Sequence, residues 1–364
     1  MTLAAHGILP DHLIEALAQA GGIAAPDLAP GQVQPASLDL RLGARAWRMR
    51  ASFLPGSERP VHAAIERLAL HEIDLRPGAV LETGTVYLAE LAESLALPAS
   101  VAASANPKSS TGRIDVFTRV IADRARAFDQ IGAGYHGPLF AEISPRTFPV
   151  LVRAGSRLSQ IRFRQGDARL DDAAHHALHA RENLVTSAAP SIAGGVAVSV
   201  DLAGFGERRL VGYRAKRHTG LIDVDKVAGL DALDFWEPLY ARGRADLVLD
   251  PGEFYILASK EAVRVPPGHA AEMTPFDPLV GEFRVHYAGF FDPGFGAAEA
   301  GGAGARAVLE VRSHDVPFIL DHGQIVGRLV YERMLAAPQR LYGAGLSSNY
   351  QAQGLKLSKH FRGA

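Results

Sequence analysis

The chain is written twice. Phe140-Ala-Glu142 parallels Val308-Leu-Glu310, and the offset that carries Glu142 onto Glu310 also aligns Leu97-Pro98 with Val265-Pro266, Gly155 with Gly323, and Phe163 with Tyr331. Asp74-Leu-Arg-Pro-Gly78 recurs as Val248-Leu-Asp-Pro-Gly252. The period is too long for a solenoid, so the spacing predicts two related domains in tandem. Their local signal is β. Short apolar runs at Ser37–Leu42, Val80–Leu91, Phe148–Val152 and Leu158–Phe163 are bounded by Pro, Gly, Asp or Asn. One amphipathic helix is expected over 7–21, started by Pro10-Asp11 and stopped by Gly21-Gly22. Residues 168–245 show no repeat and read as an elaborated connection. Within it, His218–Asp225 reads as a helix-capping turn and His175, His176 and His179 as a solvated helix face. Gly- and Ala-rich 296–305 reads as a mobile surface loop.

Composition removes several function classes. A formal net charge of −1 gives no bulk field to gather nucleic acid or an anionic membrane, so any anion site must be local. No apolar run reaches transmembrane length, and a cytoplasmic location is expected. The chain has no cysteine, which excludes disulfides, thiolate metal sites and cysteine nucleophiles. A zinc deaminase site of the H-x-E…P-C-x-x-C type is therefore excluded.

The polar groups gather in two places. Asn106-Pro-Lys-Ser-Ser-Thr-Gly-Arg113 puts two hydroxyls, an ammonium and a guanidinium into a Pro- and Gly-flanked loop, which suits a phosphate group. Glu142 and Glu310 each interrupt an apolar strand, where a carboxylate needs a partner or a task. The plain alternative for Glu142 is an edge-strand glutamate paired with a neighbouring arginine.

These motifs resemble the trimeric dCTP deaminase and dUTPase superfamily. Lys108-Ser-Ser-x-x-Arg113, the glycine turn at Gly134, the strand glutamate and Gly155-Ser-Arg-Leu-Ser-Gln-Ile-Arg-Phe163 follow the family order. Gln34-Pro-Ala-Ser-Leu-Asp-Leu-Arg-Leu-Gly43 is similar to its N-terminal signature. Tyr342, then Asn349-Tyr-Gln-Ala-Gln-Gly354, is similar to its nucleotide-covering tail. The resemblance spans most of residues 5–165 and 245–360. It implies a mainly β fold of two dUTPase-like barrel or jelly-roll domains, 1–167 and 246–364, joined by the connection 168–245.

The resemblance also implies the chemistry: zinc-independent hydrolysis of dCTP to dUTP and ammonia. Glu142, or Glu310 if the second half is active, would activate water, with Ser109 and Arg113 at the reacting centre. Lys108, where the family often has arginine, and Ser110 would hold phosphates, with Mg²⁺ carried by the triphosphate. Ala122 and Ala288 match the small residue under the pyrimidine. Asp292 lies in a base-binding hairpin whose first-half equivalent reads Gly132. Tyr342, Tyr350 and Gln353 would close the site. A homotrimer of two-domain chains is expected, most simply as separate rings of first and second halves. Pyrophosphate hydrolysis of dUTP, alone or coupled to deamination, and a non-catalytic nucleotide-binding role that could extend to dTTP are the alternatives.

Overall fold

A computed structural model describes residues 5–25, 27–187, 189–241, 243, 245–275, 283–286, 289–313, 315–343 and 354–362. Only the backbone is described at Pro275 and 283–286. The chain divides into two compact units. The first holds residues 1–168, 218–229 and 334–339, and the second holds 169–217, 230–333 and 340–364.

The first unit opens with α1 (Asp11–Gln19), whose Ile14 and Leu17 are buried one helical turn apart and whose end is marked by Gly21 at φ +78°. Strands follow as β1 (Ser37–Leu40) and β2 (Leu42–Met49). Next come α2 (Val61–Leu68) and β3 (Ala69–Asp74). The unit continues with β4 (Ala79–Leu81), β5 (Val86–Ala96), β6 (Val101–Pro107) and α3 (Ser109–Gly112). It ends with β7 (Val116–Ala122), β8 (His136–Pro145), β9 (Val150–Val152) and β10 (Ser159–Gln165). One sheet runs β7-β8-β5-β2-β3, and another joins β6, β10 and β1. Residues 139–145 of β8 are buried throughout, as a strand covered on both faces must be.

The second unit repeats this plan. It contains α4 (Asp172–Glu182), β11 (Val196–Ser199), β12 (Leu210–Ala215), α5 (Ala232–Phe235) and β13 (Trp236–Tyr240). It continues with β14 (Asp246–Leu249), β15 (Phe254–Val263), β16 (His269–Pro275) and β17 (Phe283–His286). It closes with β18 (Ala305–Ser313), β19 (Phe318–Asp321) and β20 (Ile325–Arg333). The order β13-β12-β15-β18-β17 matches β3-β2-β5-β8-β7.

The register repeats as well. At the offset between the two strand glutamates, Val101↔Gln165 and Ser159↔Pro107 become His269↔Arg333 and Pro275↔Gly327. Leu151↔Val80 becomes Val248↔Ile319. The amides of Glu82 and Asp250 each donate to the tyrosine hydroxyl five residues later, at 3.0 Å. Asp250-Pro-Gly252 therefore answers Glu82-Thr-Gly84, not the Asp74 turn that its sequence suggested.

Residues 168–245 are accordingly not a connection. They supply α4, β11, β12, α5 and β13, the counterparts of the elements before β4. Between Leu38↔Ile161 and Val196↔Leu329 the shared partner moves by the same offset as the glutamates, but the strand itself moves by less. Insertions and deletions between elements changed the offset and hid the repeat. The exception is His218–Gly229, which belongs to the first unit. There Ile222–Asp223 runs parallel to β9, and Arg153 grips Asp223 at 2.8 and 2.9 Å. It caps no helix: the next one, Ala232–Phe235, is capped by Asp231, whose carboxylate accepts from the Leu233 amide at 2.9 Å. Residues 296–305 are folded rather than loose. The Gly304 amide donates to the Gly296 carbonyl at 2.9 Å, and Ala297 and Ala300 are buried. His175 is buried too, its Nδ1 bonded to the Asp171 carbonyl and its Nε2 accepting from the Tyr331 amide.

Candidate active site

The Ser/Arg motif sits where β6 ends. Lys108 leaves the strand in extended conformation, and its carbonyl accepts from the amides of Thr111 and Gly112 at 2.8 and 3.0 Å. That single turn places Ser109 half-exposed and buries Ser110 and Arg113. Asp115, at φ +54°, ends the turn and takes the Thr147 hydroxyl at 2.5 Å. The Lys108 ammonium pairs with buried Asp39 on β1, and Arg157 stands 3.7 Å from the other Asp39 oxygen. The lysine expected to meet phosphate is engaged inside its own unit.

Glu142 lies mid-strand on β8, between β7 and β5, so it is not on an edge. It is 2 % exposed. Arg119, directly opposite on β7, donates to Oε1 from Nη2 and from Nε at 3.2 Å. Ala122 is buried at the end of β7, opposite Leu139. The following hairpin closes on itself: Tyr135 Oη donates to the Pro138 carbonyl at 2.6 Å and accepts from the Asp123 amide at 3.0 Å.

In the second unit Glu310 holds the equivalent place. Glu142 faces Leu88 and Glu310 faces Ile256, one pair being the other moved by the repeat offset. Glu310 is 6 % exposed between fully buried Leu309 and Val311. Asp292 is buried in the hairpin after Phe290–Phe291. Phe291 pairs with Ala271 as Ile131 pairs with Ala103, so Gly132 follows the equivalent of the residue before Asp292. Gly294 has φ +98°, and a Cβ there would come within 3.0 Å of Leu341 and Tyr342, so only glycine suits the turn. That approach seats Tyr342 beside the hairpin: its amide donates to Pro293 at 2.8 Å and its ring lies 5.7 Å from Phe295. Ala288, Tyr350 and Gln353 lie outside the described residues.

Sequence reasoning did not name Ser52, Phe128, Trp236 or Phe361 as neighbours of these strands. Their signal was an aromatic or hydroxyl side chain whose partner is far away in sequence. Among the described residues no group of three or more His, Cys, Asp or Glu side chains is arranged to hold a metal ion. No helix among them is long and apolar enough to cross a membrane.

This duplicated plan coincides with two family models. The N-terminal domain of 2'-deoxycytidine 5'-triphosphate deaminase matches residues 5–167, and its C-terminal domain matches residues 171–361. The chain belongs to the dCTP deaminase family. The second match begins at α4, in agreement with the structural repeat. A crystal structure of 2'-deoxycytidine 5'-triphosphate deaminase from Agrobacterium tumefaciens is 65% identical, with a TM-score of 0.91 over 94% of this chain and 100% of that one. A dUMP-forming dCTP deaminase of Methanoculleus marisnigri is 32% identical over 164 residues, 44% of this chain and 81% of the relative. A dCTP deaminase of Natronomonas pharaonis is 31% identical over 137 residues, 36% of this chain and 66% of the relative.

Proposed function

We propose that the protein hydrolyses dCTP at C4 of the base. A strand glutamate takes a proton from water, the hydroxide adds to C4, and the proton returns to the departing amine to release ammonia. Ser109 and Arg113 orient the water and stabilise the developing charge. Lys108 and Ser110 meet the phosphates once Lys108 exchanges Asp39 for the nucleotide. Ala122 and Ala288 are the small residues under the pyrimidine, and Tyr342, Tyr350 and Gln353 close the site. Mg²⁺ enters with the triphosphate, and the absence of cysteine argues for water activation without zinc. A homotrimer in the cytoplasm is the expected assembly and location. The observation that carries this reading is a buried strand glutamate at one repeated register, in a chain matched over both halves by the deaminase models.

A second reading concerns the product. Asp292 is a buried carboxylate in the base-binding hairpin, and the Methanoculleus relative is named for forming dUMP. Coupled loss of pyrophosphate would then follow deamination. Incubation with dCTP, with nucleotides resolved by chromatography and ammonia measured in parallel, separates the cases. Ammonia with dUTP supports simple deamination, and ammonia with dUMP supports the coupled reaction. Binding without ammonia overturns both in favour of a nucleotide-binding protein. Activity restored after chelation by Zn²⁺ and not by Mg²⁺ would overturn the metal assignment.

A further inference from the structure

The two oxygens of Glu142 have different surroundings, and a part for them in catalysis rests on the deaminase reading above. Both side-chain donors from Arg119, Nη2 and Nε, converge on Oε1. Oε2 is the one buried carboxylate oxygen with no hydrogen-bond partner among the described residues. Leaving a buried acceptor unmet costs free energy, and a guanidinium can meet both oxygens of a carboxylate at once. The first unit does so elsewhere. Arg153 Nη1 and Nη2 engage Asp223 Oδ1 and Oδ2 at 2.8 and 2.9 Å. Arg45 Nη2 and Nε engage Glu90 Oε1 and Oε2 at 2.5 and 3.2 Å. Fully buried Glu93 takes the Gln32 side-chain amide and Arg41 Nε on Oε1, and the Arg41 backbone amide on Oε2. Among these four carboxylates, Glu142 alone has one oxygen held twice and the other left open.

Arg119 is itself fixed. Its Nη2 also donates to the Ser52 hydroxyl at 2.9 Å. Its guanidinium carbon lies 3.6 Å from the Phe128 ring centre and 4.7 Å from that of Phe117. Such stacking suits a flat, weakly hydrated guanidinium better than an ammonium. The repeated sheet does not require this pair, because His286 stands at the register position opposite Glu310. A fixed cation favours the ionised form of a buried carboxylate, which is the form that can take a proton. Two bonds to one oxygen also fix the carboxylate plane, so the open oxygen keeps one direction.

We propose that Arg119 is a positioning residue for deamination: it holds Glu142 by Oε1 so that Oε2 receives the proton of the attacking water. Arg119 acts through Glu142 and not on the nucleotide. Its contribution is to the chemical step and not to the binding of dCTP.

The test measures kcat and KM for ammonia release from dCTP on the full-length chain, with the thermal midpoint read in parallel. Arg119→Ala should lower kcat roughly 10–10²-fold, as loss of a group that orients a reactive one does, with KM kept within about threefold. The space left beside Phe128 suits a free cation of the same shape. Guanidinium at about 50 mM, far below denaturing strength, should restore kcat about tenfold, and urea, its neutral counterpart, should not. Glu142→Gln supplies a second arm. With the base removed there is nothing to position, so adding Arg119→Ala to Glu142→Gln should slow turnover by no more than about twofold further. A residue that merely supports the fold slows both backgrounds alike. If Arg119→Ala does not fold, Arg119→Lys keeps the charge without the flat fork and should show the same split, a lower kcat at the parental KM. A folded Arg119 variant with parental kcat, a loss confined to KM, equal rescue by urea, or additive losses in the double variant overturns the proposal. An unsubstituted chain that releases no ammonia overturns the deaminase reading itself, before any variant is compared.

Discussion

His269 shows how much a single half-buried ring contributes. Burial first, then the charges of Arg181 and Arg333, push its pKa down from its ordinary 6.5 to about 4. His175 is lowered as well, chiefly by burial, and its Nε2 must stay unprotonated to accept the Tyr331 amide. Both rings are therefore neutral in the folded protein and protonate more readily once unfolded. The contribution of His269 is complete above about pH 6.5 and is lost as pH falls through the window down to about 4, and that of His175 is lost in the same direction. For His269 the loss amounts to roughly 3 kcal/mol at most. The thermal midpoint should fall between pH 7 and pH 4.5, and His269→Phe should flatten that fall. Equal slopes for variant and parent would show that the ring is not the titrating group. Legibility at this scale depended on distance along the chain. Glu142 and Glu310 were visible because polar residues interrupt apolar strands. Asp39, which engages Lys108 from 69 residues away, was not, because only the fold brings the two together. Arg119 lies between: an arginine partner for Glu142 was an open alternative, but its identity needed the strand register.

Among the elements, the C-terminal segment departs most from expectation. Its composition, rich in Gly, Ser, Asn and Gln, reads as a tail with few anchors. Its end is instead held. Leu357, His360 and Phe361 are buried, and Phe361–Arg362 pairs with Leu230–Asp231. The Phe361 ring lies 5.4 Å from Phe235 and 6.0 Å from Trp236. One His-Phe pair after a run of polar residues gave too short a pattern for periodicity to register. Phe361→Ala should cost about 3 kcal/mol through the cavity left against Trp236, read as a lower denaturant midpoint. A midpoint unchanged from the parent would mean that this end merely rests on the sheet. The remaining elements follow a simple rule. Helix α1 and the strands β1, β4, β9, β10 and the first half of β5 were legible from apolar runs bounded by turn residues, whereas β6 and β7 gave no such run. The duplication was legible at Leu97-Pro98, Glu142, Gly155 and Phe163, where one offset relates the two halves, and it disappeared in the elements before β4 and at the hairpin, where the offset is shorter.

The whole molecule is less divisible than a tandem repeat suggests, because the chain returns twice to its first unit. Ile222–Asp223 adds a strand beside β9, with Asp223 gripped by Arg153 and the Ser156 hydroxyl donating to Asp225 at 2.6 Å. Residues 334–339 return again. The Leu335 amide donates to the Ile8 carbonyl at 2.8 Å, and the Gln339 amide donates at 2.9 Å to the fully buried carboxylate of Asp11. A fragment cut at residue 168 keeps its sheets but loses both returns. It leaves the edge of β9 unpaired, and Asp11 without that donor where burial is costly. The boundary that sequence suggests near 167 is thus a boundary of the repeat and not of an independent folding unit. We expect fragment 1–168 to melt roughly 5–10 °C below the first transition of the full chain. Asp11→Ala in the fragment should recover part of that difference, since it removes a buried carboxylate that the cut deprives of the Gln339 donor. Circular dichroism melts of the three proteins provide the check. A fragment that melts with the full chain would show that the two returning segments decorate the first unit without supporting it.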